Sequence, residues 1–385
     1  MRPLILELQE SKIRELANQA MGRADVLAFW FGESDEVTPE FITSAAIDSL
    51  KEGETFYTHN LGLPELRESL AHEMSKRHGQ GRFGIERIAV TSGGVSALMI
   101  AAQALISPLD KVVAITPLWP NLTAQAMIMG AHLNCVPLIP KGGAWGLDIQ
   151  ALLDALTASV KVLLINAPNN PTGWTMQRGE QEVILEHCRK LGIWIVADEV
   201  YENLYFEPST NGCAPSFLDI AQDEDRVMVI HSFSKSFLMT GWRLGWIVAP
   251  SSTLPSLGKL IEFNTSCASL FTQRAGVVAI RRSQEVTPRV VSHLKFCRDT
   301  LCEGLMELDQ LELSKPSGGM YAFFKIKGKV DSLNIAKQLV HEAGLGIAPG
   351  VAFAQESKDW FRWCFASKDP QRLLNGVERL RKWLG

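Results

Sequence analysis

A chain of 385 residues is long for one hydrophobic core and suits two lobes, or one large domain with a smaller one. Its residues are 46% hydrophobic and 21% charged, and the formal net charge is −4; that fits a globular body and lacks the basic surface that nucleic-acid binding needs. The seven cysteines (Cys135, Cys188, Cys213, Cys267, Cys297, Cys302 and Cys364) are odd in number, irregularly spaced and without a C-x-x-C pair, which points to free thiols in a reducing compartment, with the cytoplasm as the expected location.

In chain order, residues 6–21 have the periodicity of a lone amphipathic helix. The charges that interrupt "MRPLILELQESKIREL" argue against a signal peptide, and no apolar run reaches the length of a membrane span. An irregular segment, Gly32–Pro39, follows. "RIAV" (87–90) is a short strand leading into "TSGG" and the helix "VSALMIAAQALI". "KVVAI" (111–115), "KVLLIN" (161–166), "IWIVAD" (193–198) and "VMVIHSF" (227–233) are apolar on both faces, the pattern of parallel strands covered by helices on each side. Between them lie helical patterns such as "QEVILEHCRKLG" (181–192), closed by a glycine. Beyond residue 284 the order becomes helix, "MYAFFKIKG", helix, "WFRWCFA". The expected architecture is α/β: a large three-layer α/β/α domain over residues 46–283 with a mostly parallel sheet. A smaller α+β domain is expected from both chain ends, 1–45 and 284–385.

Ligands of open α/β sheets bind beyond the carboxyl ends of the strands, and here those ends are polar. After "RIAV", two glycines open a helix whose free N–H groups suit an anion, or simply turn the chain. Ser232, Ser234 and Arg243 can add charge-assisted bonds to a phosphate; the alternative is a solvated turn and a surface cation. Asp198 ends an apolar strand, where an ionised carboxylate needs a partner. It reads either as a helix cap or as the partner of a protonated ring nitrogen, with Tyr201 three residues on. Asn170, in "PNNPTG", is either ordinary turn chemistry or a donor to a ring oxygen. Lys235, in "SFSKSFLMTGWRLGW", becomes a nucleophile for carbonyls if burial or nearby cations lower its pKa. An aldehyde, a ring nitrogen, a ring oxygen and a phosphate occur together in pyridoxal 5′-phosphate, the cofactor this set predicts.

Seven motifs in order resemble those of the class I/II aminotransferases, the fold-type I pyridoxal-phosphate enzymes, and in particular their bacterial aspartate/aromatic branch. They are "GESDEVTP" (32–39), "FYTHNLGLPELR" (56–67), "TSGGVSAL" (91–98), "APNNPTG" (167–173), "DEVYENL" (198–204), "SFSKSFLMTGWRLGW" (232–246) and "WFRWCFA" (360–366). The resemblance implies that Lys235 is the Schiff-base lysine and Asp198 the pyridinium partner. Tyr201 and Asn170 would bind the ring oxygen, and Gly94, Val95, Ser232 and Arg243 the phosphate, while Trp119 stacks on the ring. Arg362 would fork onto the substrate α-carboxylate, which the Gly32 backbone approaches, and Tyr57 would reach the phosphate of a neighbouring subunit in a homodimer. The implied reaction moves an amino group between an L-amino acid and a 2-oxo acid by a ping-pong course, with Lys235 carrying the α-proton.

Ser34 stands where relatives often have proline, and Trp30 and Phe31 precede the motif. Val95 stands where some aspartate-using relatives have a lysine, which lowers the expectation of a dicarboxylate donor and raises that of an aromatic or apolar one. A carbon–sulfur β-lyase would retain the same motifs, and a non-catalytic ligand-sensing module is a remote alternative.

Overall fold

The structure, a computed structural model, describes residues 1–141 and 144–385. Seven strands form the main sheet: β1 (Ile88–Thr91), β2 (Lys111–Thr116), β3 (His132–Pro137), β4 (Val160–Asn166), β5 (Trp194–Asp198), β6 (Val227–Ser232) and β7 (Gly245–Val248). Their spatial order is β1-β7-β6-β5-β4-β2-β3. The pairs β2–β3, β2–β4, β4–β5 and β5–β6 are parallel. β7 runs antiparallel to both its neighbours.

Alternation along each strand builds two apolar layers. Val113, Ile115, Leu163, Ile165, Ile195 and Val229 join one core cluster. Their sequence neighbours Val112, Ala114, Leu164, Val196, Met228 and Ile230 join the other. This is why the central strands read as continuous apolar runs: neither face meets water.

Among the helices, α1 (Lys12–Gln19) lies near the N-terminus. The others used below are α2 (Pro64–His78), α3 (Gly94–Leu105), α4 (Arg178–Leu191), α5 (Ser283–Met306) and α6 (Pro370–Leu384). The expected helix over 6–21 is shorter in the structure. Ser11 accepts the Arg14 N–H and starts α1 at Lys12, so residues 7–11 stay outside it, after a separate turn at Pro3–Leu6. The Ser11 side chain gives one of the otherwise unpaired first-turn N–H groups an acceptor, which fixes the start there. The helix expected over 181–192 begins earlier, at Arg178, because the Glu180 side chain accepts the N–H of Gln177 at 2.7 Å. It ends at Gly192, which takes a left-handed conformation (φ 69°).

A second, antiparallel sheet is made by β8 (Leu311–Leu313), β9 (Tyr321–Ile326), β10 (Ala348–Pro349) and β11 (Trp360–Cys364), in the order β8-β9-β11-β10. α5 packs against α6 and against β8 and β9. The N-terminal segment joins this part of the molecule: Leu27–Ala28 pairs in parallel with Leu345–Gly346, and α1 packs on β10. The helix Glu40–Lys51 packs on Leu270–Arg281.

Register sets the rim of the main sheet. Asn166 is paired with Asp198, and Asp198 with Ile230, two residues before Ser232. Gly245, where β7 starts, lies opposite both Ser232 and Thr91. The reversed strand therefore returns Arg243 to the rim that Lys235 left eight residues earlier.

Candidate active site

A cleft of about 660 Å³ opens at this rim. Lining it are Gly32, Gly94, Val95, Trp119, Asn170, Asp198, Tyr201, Ser232, Lys235, Arg243 and Arg362. Eleven of the twelve residues to which the resemblance assigns a role thus meet in one place, with Ser234 beside them. The twelfth, Tyr57, is 85% exposed and lies outside the cleft of its own chain.

Lys235 is half-buried and donates to the Gly32 carbonyl. Burial pushes its pKa down to about 8, and the Arg362 cation adds to the effect against the opposing Cys364, Glu33 and Asp198. Asp198, 2% exposed, accepts from the Val200 N–H at 3.3 Å. Burial pushes its carboxyl up to about 7, against that N–H and the Lys235 charge. Each group is displaced toward its neutral form, as a buried charge short of a partner must be.

Arg243 sits at the exposed mouth with φ 53°, a left-handed conformation uncommon for a side chain of its size. Its guanidinium donates to the Thr240 carbonyl at 2.7 Å. Gly93 caps α3 with φ 95°, and a Cβ there would lie 2.6 Å from the Arg243 guanidinium. The backbone angle is what calls for glycine there. Ser232 and Ser234 are buried and joined hydroxyl to hydroxyl at 2.9 Å. The α3 N-terminus, two hydroxyls and one cation form a donor set for a doubly charged anion.

Arg362, on β11, is 2% exposed. One nitrogen donates to the Asn170 side chain at 2.8 Å and another to the Trp30 carbonyl. Its Nε has no partner among the described residues. The rings of Tyr321 and Phe353 lie 4.4 and 4.8 Å from it. A buried guanidinium with an open donor suits a carboxylate.

Sequence reasoning missed several cleft residues. Tyr321, in β9, shares a 2.7 Å hydroxyl contact with Tyr201, and burial pushes both phenols up. It also explains Gly32, where a Cβ would lie 2.0 Å from the Tyr321 hydroxyl. Asn166 donates to the Asp198 carbonyl at 2.9 Å and accepts the Asn170 N–H at 2.7 Å. A polar residue ending an apolar strand was the available signal, as for Asp198. Ser11 caps α1 and Arg14 lies within it, where charge on an amphipathic helix looks like an ordinary solvated face. The Arg14 guanidinium lies 4.8 Å from the Phe31 ring, and its side chain has no hydrogen-bonded or ionic partner among the described residues.

The sequence model of class I and II aminotransferases matches residues 25–380. The chain belongs to this family. An aspartate aminotransferase of Pyrococcus horikoshii is 30% identical over 383 residues, covering 99% of this chain and 96% of its own. A crystal structure of Thermotoga maritima aspartate aminotransferase superposes with a TM-score of 0.91 at 29% identity, over the whole of both chains. A single-mutant form of the Thermus thermophilus enzyme gives 0.92 at 27% identity, covering 99% of each chain. The protein is an aminotransferase with the fold-type I architecture, and its family generally depends on pyridoxal phosphate. No helix among the described residues is long and apolar enough to cross a membrane.

Proposed function

We propose that this aminotransferase holds pyridoxal 5′-phosphate in the cleft and exchanges amino groups between an L-amino acid and a 2-oxo acid. One observation carries the reading: Lys235 and Asp198, both displaced toward neutrality, share a cleft with the anion donor set around Arg243 and with buried Arg362. The residues fit the cofactor. The α3 N-terminus at Gly94 and Val95, Ser232 and Arg243 would hold the phosphate. Trp119 would cover the ring, and Asn170 and Tyr201 would bond its oxygen. Asp198 would gain the cationic partner that its burial demands.

When bound, the cofactor supplies an aldehyde for an amine and a ring that accepts the electron pair left on the donor carbon. The chain's own residues do the rest. Arg362 orients the donor through its α-carboxylate, which fixes the Cα–H relative to Lys235. Lys235, displaced toward its neutral form, would take that proton onto its Nζ and hold it for return. Asp198, ionised once paired, stabilises positive charge at the ring nitrogen. Tyr321 holds the Tyr201 hydroxyl in place.

The division of the chain at residues 45 and 283, with the cleft between the parts, belongs to this proposal. So do a cytoplasmic setting and a homodimer in which Tyr57 serves the neighbouring site. Phe56, Tyr57 and Phe263 are 79, 85 and 87% exposed, and large apolar side chains left this open to solvent support an interface. For the donor, Val95 gives the cleft an apolar wall. The unpaired Arg14 favours a second reading, a donor with a distal carboxylate, in line with the aspartate named for the relatives.

Borohydride reduction of the pyridoxal-phosphate-loaded protein followed by peptide mapping should label Lys235; a label elsewhere overturns the assignment. Mixing the loaded protein with a panel of amino acids should yield pyridoxamine phosphate. Release of ammonia and pyruvate instead would make it a lyase. Sedimentation should give twice the chain mass.

A further inference from the structure

The turn after β5 presents different residues to two environments. Asp198, Val200 and Tyr201 line the cleft. Glu199, Glu202 and Asn203 point away from it into a buried polar cluster. Glu199 accepts the Phe217 N–H at 3.0 Å and the Ser216 hydroxyl. Asn203 accepts from Arg77 of α2 and from Cys213, and donates to Ser236, the residue after Lys235, at 3.3 Å.

Glu202 is the hub. It is 2% exposed, and its two carboxylate oxygens reach different elements. One lies 2.9 Å from His78 Nε2, at the end of α2, and the other 3.3 Å from His231 Nδ1, in β6. The His78 contact is an ion pair, and the His231 contact is the looser of the two. His78 in turn contacts Asp219 at 2.8 Å. His231 stacks on Trp246 of β7, with ring centroids 4.9 Å apart. Because neighbours on a strand face opposite ways, fixing His231 on one side of β6 aims Ser232 into the cleft on the other.

The charges are self-consistent. Burial alone would raise the Glu202 carboxyl, but His78, His231 and Arg77 hold it well below the usual range. Burial lowers His78, yet Glu202 and Asp219 lift it to about 10. Burial lowers His231 to about 4, and the His78 and Arg77 cations oppose its protonation as well. Glu199, the other acid facing the cluster, is pushed up to about 8 by burial and by Glu202. One ionised carboxylate therefore serves one charged and one neutral histidine.

We propose that Glu202, held between His78 and His231, is a positioning residue that locks the Asp198–Tyr201 turn and the Ser232 end of β6 in a single register. It acts on the cofactor through those residues, and so rests on the site reading above. Substitution of Glu202 disturbs cofactor affinity and the protonation behaviour of the bound chromophore, beyond any effect on stability.

The test uses pyridoxal phosphate itself as probe, with Glu202→Gln and with Asp225→Asn as control. Asp225 ties Arg189 of α4 by a two-point fork at 2.6 and 2.7 Å, just before the opposite end of β6. Partners one shell out from a metal ligand carry roughly 10- to 100-fold in affinity, and Glu202→Gln should weaken pyridoxal phosphate binding by about tenfold. It should also move the pH midpoint of the visible absorbance and lower kcat more than it raises the donor KM. Asp225→Asn should lower Tm while leaving affinity and midpoint unchanged. If Glu202→Gln lowers Tm and alters neither affinity nor midpoint, the residue is merely structural and the proposal falls. If that variant does not fold, His231→Asn, which removes one arm of the clamp, is read by the same measures. Wild-type protein that binds no pyridoxal phosphate would overturn the site reading instead, a distinguishable result.

Discussion

Two sets of buried charge meet at the turn after β5, and they are stabilised in different ways. On the cleft side, Asp198, Lys235 and Arg362 are short of partners: the first two are shifted toward neutrality and the third keeps an open Nε. Behind the turn, Glu202, His78 and Arg77 are paired with one another and with Glu73, Asn203 and Asp219. Burial is comparable in the two sets; what separates them is that Glu202, His78 and Arg77 each face an opposite charge. An unpaired buried charge costs stability. A fold that keeps three in one cleft while pairing Glu202, His78 and Arg77 suits that cleft to a ligand carrying the missing charges.

If that contrast is right, substitutions on the cleft side should cost activity and spare the fold. Lys235→Met should lower turnover by roughly a thousandfold or more. It should leave the Tm of the cofactor-free protein unchanged or raised, as calorimetry and a single-turnover assay would show. A large fall in Tm would mean that Lys235 is a structural member of the cleft.

Arg362→Met should act on donor binding, raising KM by about 10- to 100-fold, the worth of a charged hydrogen-bonded contact. A change confined to kcat would break the assignment to the α-carboxylate.

The paired set should respond to pH through stability. The His78 pKa is raised in the folded protein above its ordinary value, so its contribution is full below about pH 6.5 and is lost as pH rises toward about 10. Urea unfolding of wild type and His78→Gln should differ by roughly 2–4 kcal/mol at pH 6, narrowing at pH 9.5. A gap independent of pH would detach His78 from the Glu202 cluster.

The smallest effect should come from the cleft edge. Arg14 is exposed to solvent, so Arg14→Met should reduce half-reaction rates with acidic donors by no more than about tenfold. Rates with apolar donors should hold. Equal loss for both classes would assign Arg14 to lid packing over Phe31 instead of donor selection.

Much of the site was legible because its chemistry is local. Lys235, Asp198 and Asn170 each sit at a strand end whose apolar run and polar terminus are adjacent in sequence. Tyr321 and Arg14 were not legible on the same grounds. Tyr321 lies inside an aromatic strand, "MYAFF", where a tyrosine looks like core. Arg14 lies on a helix face that looks solvated until α1 is docked at the cleft.

The sequence by itself determined the layered α/β class, the strand ends that carry chemistry and the family, since periodicity and motif order are properties of neighbouring residues. Tertiary structure alone decided which way each residue of "DEVYEN" faces, that β7 runs backward to return Arg243 to the rim, and that Glu202 lies between histidines 124 residues before it and 29 after. Pairing energies of that kind depend on distances of a few ångströms between segments remote in sequence, and only the packed chain sets those distances.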